Sequence, residues 1–118
     1  MAANAEEVTA GAAYRDSRGN RLAREIVLSP DRLVCRDTLE GAFDFATLRW
    51  RLPPGDWQLT GNRLHGPGME LEVTVSRAEP AFTLSRDREA RDYARLAEVV
   101  VLEVTVDRPC HIETRIRF

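Results

Sequence analysis

Lysine is absent from this chain of 118 residues, and all 17 of its basic side chains are arginines. Codon usage in a GC-rich genome would produce that bias, and so would selection for planar donors that grip carboxylate or sulfate in bidentate fashion. The arginines run along the whole chain without clustering, which favours codon usage. Against 19 acidic residues they leave a formal net charge of -2. There is no positive field to draw in a phosphate backbone, so nucleic acid is not an expected partner.

Long apolar runs are also missing. Nothing approaches the ~20 residues that cross a bilayer, so no membrane segment is expected. The beginning, Met1-Ala2-Ala3-Asn4-Ala5-Glu6-Glu7, lacks the basic and then apolar order of a signal peptide, and residues 1–13 read as a flexible tail or segment boundary. Glycine (7) and proline (6) are too few for a disordered chain, and 43% hydrophobic with 31% charged residues describes a globular one. Residues 14–118 are therefore expected to fold as a single domain.

Histidine and cysteine are scarce, which limits the available chemistry. Catalysis by a nucleophile and a base has only His65 and His111 to draw on, and neither has a local partner. Cys35 and Cys110 stand far apart, so no ligand spacing for zinc or iron exists and no metal or cofactor is expected. Each cysteine falls in phase with apolar strand residues. Two buried free thiols are expected, with a disulfide as the alternative.

What the chain does have is a period of two. Leu22 to Leu28 and Leu33 to Thr38 flank the turn residues Ser29-Pro30-Asp31-Arg32 and read as a hairpin. In Phe43 to Leu52, Ala46, Leu48, Trp50 and Leu52 share one face, while Thr47, Arg49 and Arg51 share the other. Pro53-Pro54-Gly55-Asp56 stops that strand. Trp57 to Thr60 and Arg63 to Gly66 flank Gly61-Asn62 as a tight hairpin. Met69 to Ser76, Ala81 to Ser85, Glu98 to Asp107 and Cys110 to Phe118 complete the set. Ala90, Tyr93, Ala94 and Ala97 recur at spacings of three and four, so a short helical turn near 86–97 competes with a long ordered loop. The expected fold is all-β, an antiparallel sandwich of about eight to ten short strands. Trp50, Val73, Leu102, Val104, Ile112 and Ile116 are its expected core.

Two sets of side chains could contact an acidic sugar polymer, because aromatic rings stack on sugars and arginine forks hold carboxylate or sulfate. One is the hairpin with Trp57, Arg63 and His65. The other is Arg115 and Arg117 on the last strand. Glu70 and Glu72 share a strand face about 7 Å apart, a separation open to glycoside hydrolysis, but the same alternation is the solvent face of any half-buried strand.

The segments Arg24-Glu25-Ile26-Val27-Leu28, Leu33-Val34-Cys35-Arg36-Asp37-Thr38-Leu39-Glu40-Gly41 and Ala46-Thr47-Leu48-Arg49-Trp50-Arg51-Leu52-Pro53 follow one another in an order that resembles the C-terminal β-domain of heparinase II/III-like polysaccharide lyases. Tyr93 resembles the tyrosine of that family's later loop, and Ile112-Glu113-Thr114-Arg115-Ile116 its closing strand. The resemblance implies a non-catalytic β-sandwich that packs beside an N-terminal helical toroid domain of the same protein and forms one wall of a cleft for acidic polysaccharide. It also implies a periplasmic or secreted location. It carries no catalytic residue onto this chain, and the family's metal-binding cluster has no counterpart here. The alternative is a stand-alone carbohydrate-binding or protein-interaction β-module.

Overall fold

Alternation of apolar and polar side chains gives a strand one wet and one dry face, and a sheet of such strands needs a second layer to cover the dry side. The computed structural model describes residues 8–15, 19–92 and 95–118. The chain runs through β1 (Val8–Arg15), β2 (Arg21–Ser29), β3 (Arg32–Glu40), β4 (Ala46–Leu52), β5 (Gln58–Thr60), β6 (Arg63–Gly66), β7 (Met69–Ser76), β8 (Ala81–Asp92), β9 (Arg95–Val106) and β10 (Cys110–Arg117). A seven-stranded sheet has the order β1-β2-β3-β10-β7-β6-β5, and a three-stranded sheet has the order β4-β9-β8. Every pairing is antiparallel. The two sheets pack as the all-β sandwich that the period of two implies, and no helix occurs among the described residues.

The chain changes sheet between β3 and β4, β4 and β5, β7 and β8, and β9 and β10. Each passage holds a residue that interrupts a ladder: Gly41, Pro53 with Pro54, Pro80, and Pro109. Gly41 has φ +124, and a Cβ there would overlap the side chain of Asn20. Only glycine suits that corner.

Between the sheets lies the core. Val100, Leu102, Val104 and Val106 of β9 pack with Leu71 and Val73 of β7, Ile112 and Ile116 of β10, and Leu52, Leu64 and Trp57. All of the β9 members are at most 2% exposed. Val99 and Val101, which point the other way along β9, are buried as well, as expected of a central strand covered on both sides at one end.

Residues 86–92 and 95–97 are strand, not a helical turn. β8 continues to Asp92 and β9 starts at Arg95, paired from Ala81↔Thr105 to Asp92↔Arg95 with an irregularity between Ala90 and Asp92. Alanine buries too little area for its spacing to outweigh a ladder of backbone hydrogen bonds. Tyr93 lies outside the described residues. Val8–Arg15, which spans the position 13/14, pairs with β2 along its whole length.

Both tryptophans pack with the core, Trp57 more deeply than Trp50. Trp50 is only half-buried, whereas Trp57 is 6% exposed and belongs to the core. Trp57 precedes β5, so no strand parity governs its direction. Its indole N–H donates to the Pro53 carbonyl at 2.8 Å, which satisfies the polar end and lets the ring be buried. The ring lies directly against Gly66, where a Cβ would overlap it.

Leu102→Ala should cost about 2–5 kcal/mol in chemical denaturation, and a loss below ~1 kcal/mol would contradict its place in the core. Gly66→Ala should destabilise by about 1–3 kcal/mol through displacement of the Trp57 ring. An unchanged denaturation midpoint followed by tryptophan fluorescence would contradict that packing.

Candidate functional site

The inward residues of the larger sheet build the core, so their neighbours form its outer face, and strand register arranges these in rows. Val27, Val34, Arg115, Glu72 and Arg63 make one row across β2, β3, β10, β7 and β6. Ser29, Arg32, Arg117, Glu70 and His65 make the next. The rows are ~7 Å apart along the strands, and five strands span roughly 19 Å. Both rows border a cavity of about 610 Å³. Because one sheet supplies its lining, the cavity is a trough formed by the sheet's own twist.

Arg115 and Arg117 thus meet Arg63 and His65 on a single face, although they come from opposite ends of the sequence. Trp57 does not join them, since it lies in the core behind the sheet. The ring expected to stack on a sugar is covered, and no tryptophan borders the trough. Arg32 and Arg36 do border it and were not anticipated. Parity within β3, once paired with β10, would have placed both.

Across the two rows four arginines meet two glutamates, so the trough is positive while the chain as a whole carries -2. Arg63 donates through Nε to Glu72 at 2.9 Å, and Arg115 through Nε to Glu113 at 3.1 Å. These exposed pairs add at most about 1 kcal/mol each, but they orient the guanidinium groups along the face. In both cases the bond uses Nε, and the Nη donors make no hydrogen bond among the described residues. Glu70 and Glu72 each face a basic partner, with His65 Nδ1 at 2.9 Å from Glu70 and Arg63 beside Glu72. Neither is placed as an isolated acid. His111 Nδ1 meets the Thr38 hydroxyl at 3.1 Å on the same sheet, with no carboxylate bonded to it among the described residues. No group of three or more His, Cys, Asp or Glu side chains is poised for a metal among the described residues.

A second polar constellation points inward. Arg24 and Asp37 are directly opposed on β2 and β3, and the guanidinium donates from Nε at 2.6 Å and from Nη2 at 3.0 Å to the two carboxylate oxygens. Asp37 is 1% exposed. Arg24 also lies over the Trp50 ring, 5.5 Å from its centroid, and Trp50 Nε1 donates to the Thr114 hydroxyl at 3.3 Å. These contacts tie β2, β3 and β10 of one sheet to β4 of the other. Arg24, Asp37 and Gly41, which lie in the segments that carry the resemblance, therefore have structural work: the first two form an ion pair with its carboxylate buried, and the third turns the corner after β3.

Cys35 is fully buried beside this pair, its thiol 3.7 Å from Asp37 Oδ2. Cys110 is buried too, and both thiols are free. Cys110 stands opposite Leu39, four residues along β3 from Cys35. That offset is ~13 Å by strand rise, beyond the ~7 Å a disulfide tolerates.

No family model, no curated protein and no solved structure matches this chain.

Burial, aided by the charge of Asp37, pushes the Cys35 thiol up to about 11 from an ordinary 9.0, and burial also raises that of Cys110. The folded state therefore favours the protonated thiol. Its contribution to stability is complete below about pH 9 and is lost as pH rises through about 11. At pH 8 both thiols should alkylate far more slowly in the native protein than in the denatured chain. Equal rates would contradict the burial.

Proposed function

We propose that this chain is a non-catalytic β-sandwich domain that receives an acidic carbohydrate polymer in the trough of its larger sheet. In a longer polypeptide it would support a helical toroid, as the C-terminal β-domain of heparinase II/III-like lyases does. The observation that carries the reading is the convergence of Arg63, His65, Arg115 and Arg117 on one curved face of positive charge. Guanidinium forks already oriented by Glu72 and Glu113 lose less freedom when they engage a carboxylate. The neighbouring Val27 and Val34 offer an apolar strip for the body of a sugar ring. β-Elimination would need a base at the C5 proton together with neutralisation of the adjacent carboxylate. Among the described residues no tyrosine and histidine stand together in the trough.

Titration of the protein with a uronic acid oligosaccharide, followed by NMR, should give saturable shifts at Arg63, His65 and Arg115. Arg115→Ala should weaken binding about tenfold, which is ~1.4 kcal/mol. Raising the salt concentration should weaken it further, since charges are screened with a Debye length of about 8 Å at physiological salt. Shifts confined to the smaller sheet would overturn the assignment of the face. Accumulation of unsaturated uronate, read by ultraviolet absorbance, would overturn the non-catalytic role.

A further inference from the structure

Arg32 and Arg117 stand directly opposite each other across the β3 and β10 ladder. Opposed residues of antiparallel strands have Cα atoms only ~4.5–5.5 Å apart, and like charges there destabilise the sheet. Elsewhere on this face close arginines are answered by carboxylates: Arg36 by Glu25 and Glu113, Arg63 by Glu72, and Arg115 by Glu113. The side chains of Arg32 and Arg117 make no such pair among the described residues. Glu70, next to Arg117 in the same row, is engaged with His65. On the other side of Arg32 is Ser29, which adds a hydroxyl donor. All three border the trough.

We propose that Arg32 and Arg117 form a subsite for a tetrahedral oxyanion, a phosphate or sulfate group carried as an ester by the ligand in the trough. The inference rests on the reading of the trough as the binding face. A carboxylate presents two oxygens in one plane and is matched by a single guanidinium fork. A tetrahedral group presents three oxygens in different directions, so forks from two neighbouring strands engage it together. Its charge supplies the counter-ion that the opposed arginines lack, and occupancy relieves their repulsion.

The test uses the whole chain with labelled arginine side chains, titrated with inorganic phosphate, inorganic sulfate and acetate at constant ionic strength. Arg32 and Arg117 Nε–H signals should shift saturably with phosphate and sulfate at concentrations about tenfold below those needed for acetate. R32Q and R117Q should each abolish the response, while R49Q, on the smaller sheet, should retain it. Equal shifts at every exposed arginine, or a response that survives R32Q and R117Q, would overturn the subsite. Acidic oligosaccharides bearing a phosphate ester, a sulfate ester or neither then distinguish the sources, and a preference for either ester over the unesterified chain supports the inference. An ester preference that survives R32Q and R117Q overturns the subsite while leaving the binding face standing. Oxyanion binding at Arg32 and Arg117 with no oligosaccharide response at Arg63 and Arg115 keeps the subsite and removes acidic carbohydrate as the ligand.

Discussion

The larger sheet depends on the insertion of β10 between β3 and β7. Without that strand it would fall into two separate groups, β1-β2-β3 and β7-β6-β5, each with an open edge. β10 is suited to the position by strict alternation: Cys110, Ile112, Thr114 and Ile116 are buried, while Arg115 and Arg117 point outward. One strand thus supplies the middle of the core on one side and the middle of the trough on the other. Core and candidate site cannot be varied independently along it.

The Arg24 and Asp37 pair is the second constraint. Asp37 is buried while Arg24 keeps 32% of its side chain in solvent, so the desolvation cost falls mainly on the carboxylate, and the attraction repays it only with good geometry and satisfied donors. Here the bidentate contact supplies that geometry, and the pair fixes register, since a slip of one residue would place Asp37 on the outer face. Trp50 extends the constraint between layers by lying under Arg24 and donating to Thr114. An inward acid on β3 is tolerable because its partner is directly opposite on β2.

Much of the fold was legible because an antiparallel sandwich writes its burial into the sequence with a period of two. Strands such as Met69–Ser76 and Cys110–Arg117 lie close to where alternation and turn residues put them. Trp57 departs from expectation for a local reason. Trp57 sits outside a strand, where parity carries no information, and its burial depends on the Pro53 carbonyl and on the bare backbone of Gly66, contacts that follow only from the tertiary arrangement. The trough was half legible. Arg63, His65, Arg115 and Arg117 were identified as two separate patches, because nothing local reveals that β10 pairs with β7. Arg32 shows locally only as a turn residue for the same reason.

The central place of β10 also shapes how the chain reaches its fold. Arg36 and Glu113, side by side on β3 and β10, are 77 residues apart in sequence. Contacts of such long range require a large loop to close before they are rewarded, which makes folding slow compared with a meander of local hairpins. During synthesis the hairpins β2-β3 and β6-β7 emerge well before the strand that joins them. Until it docks, the facing edges of β3 and β7 are open, with the dry faces of both hairpins beside them, a combination prone to pairing with other chains. The outward charges on these strands, Arg32 and Arg36 on one and Glu70 and Glu72 on the other, are of opposite sign, so the two edges attract each other until β10 separates them.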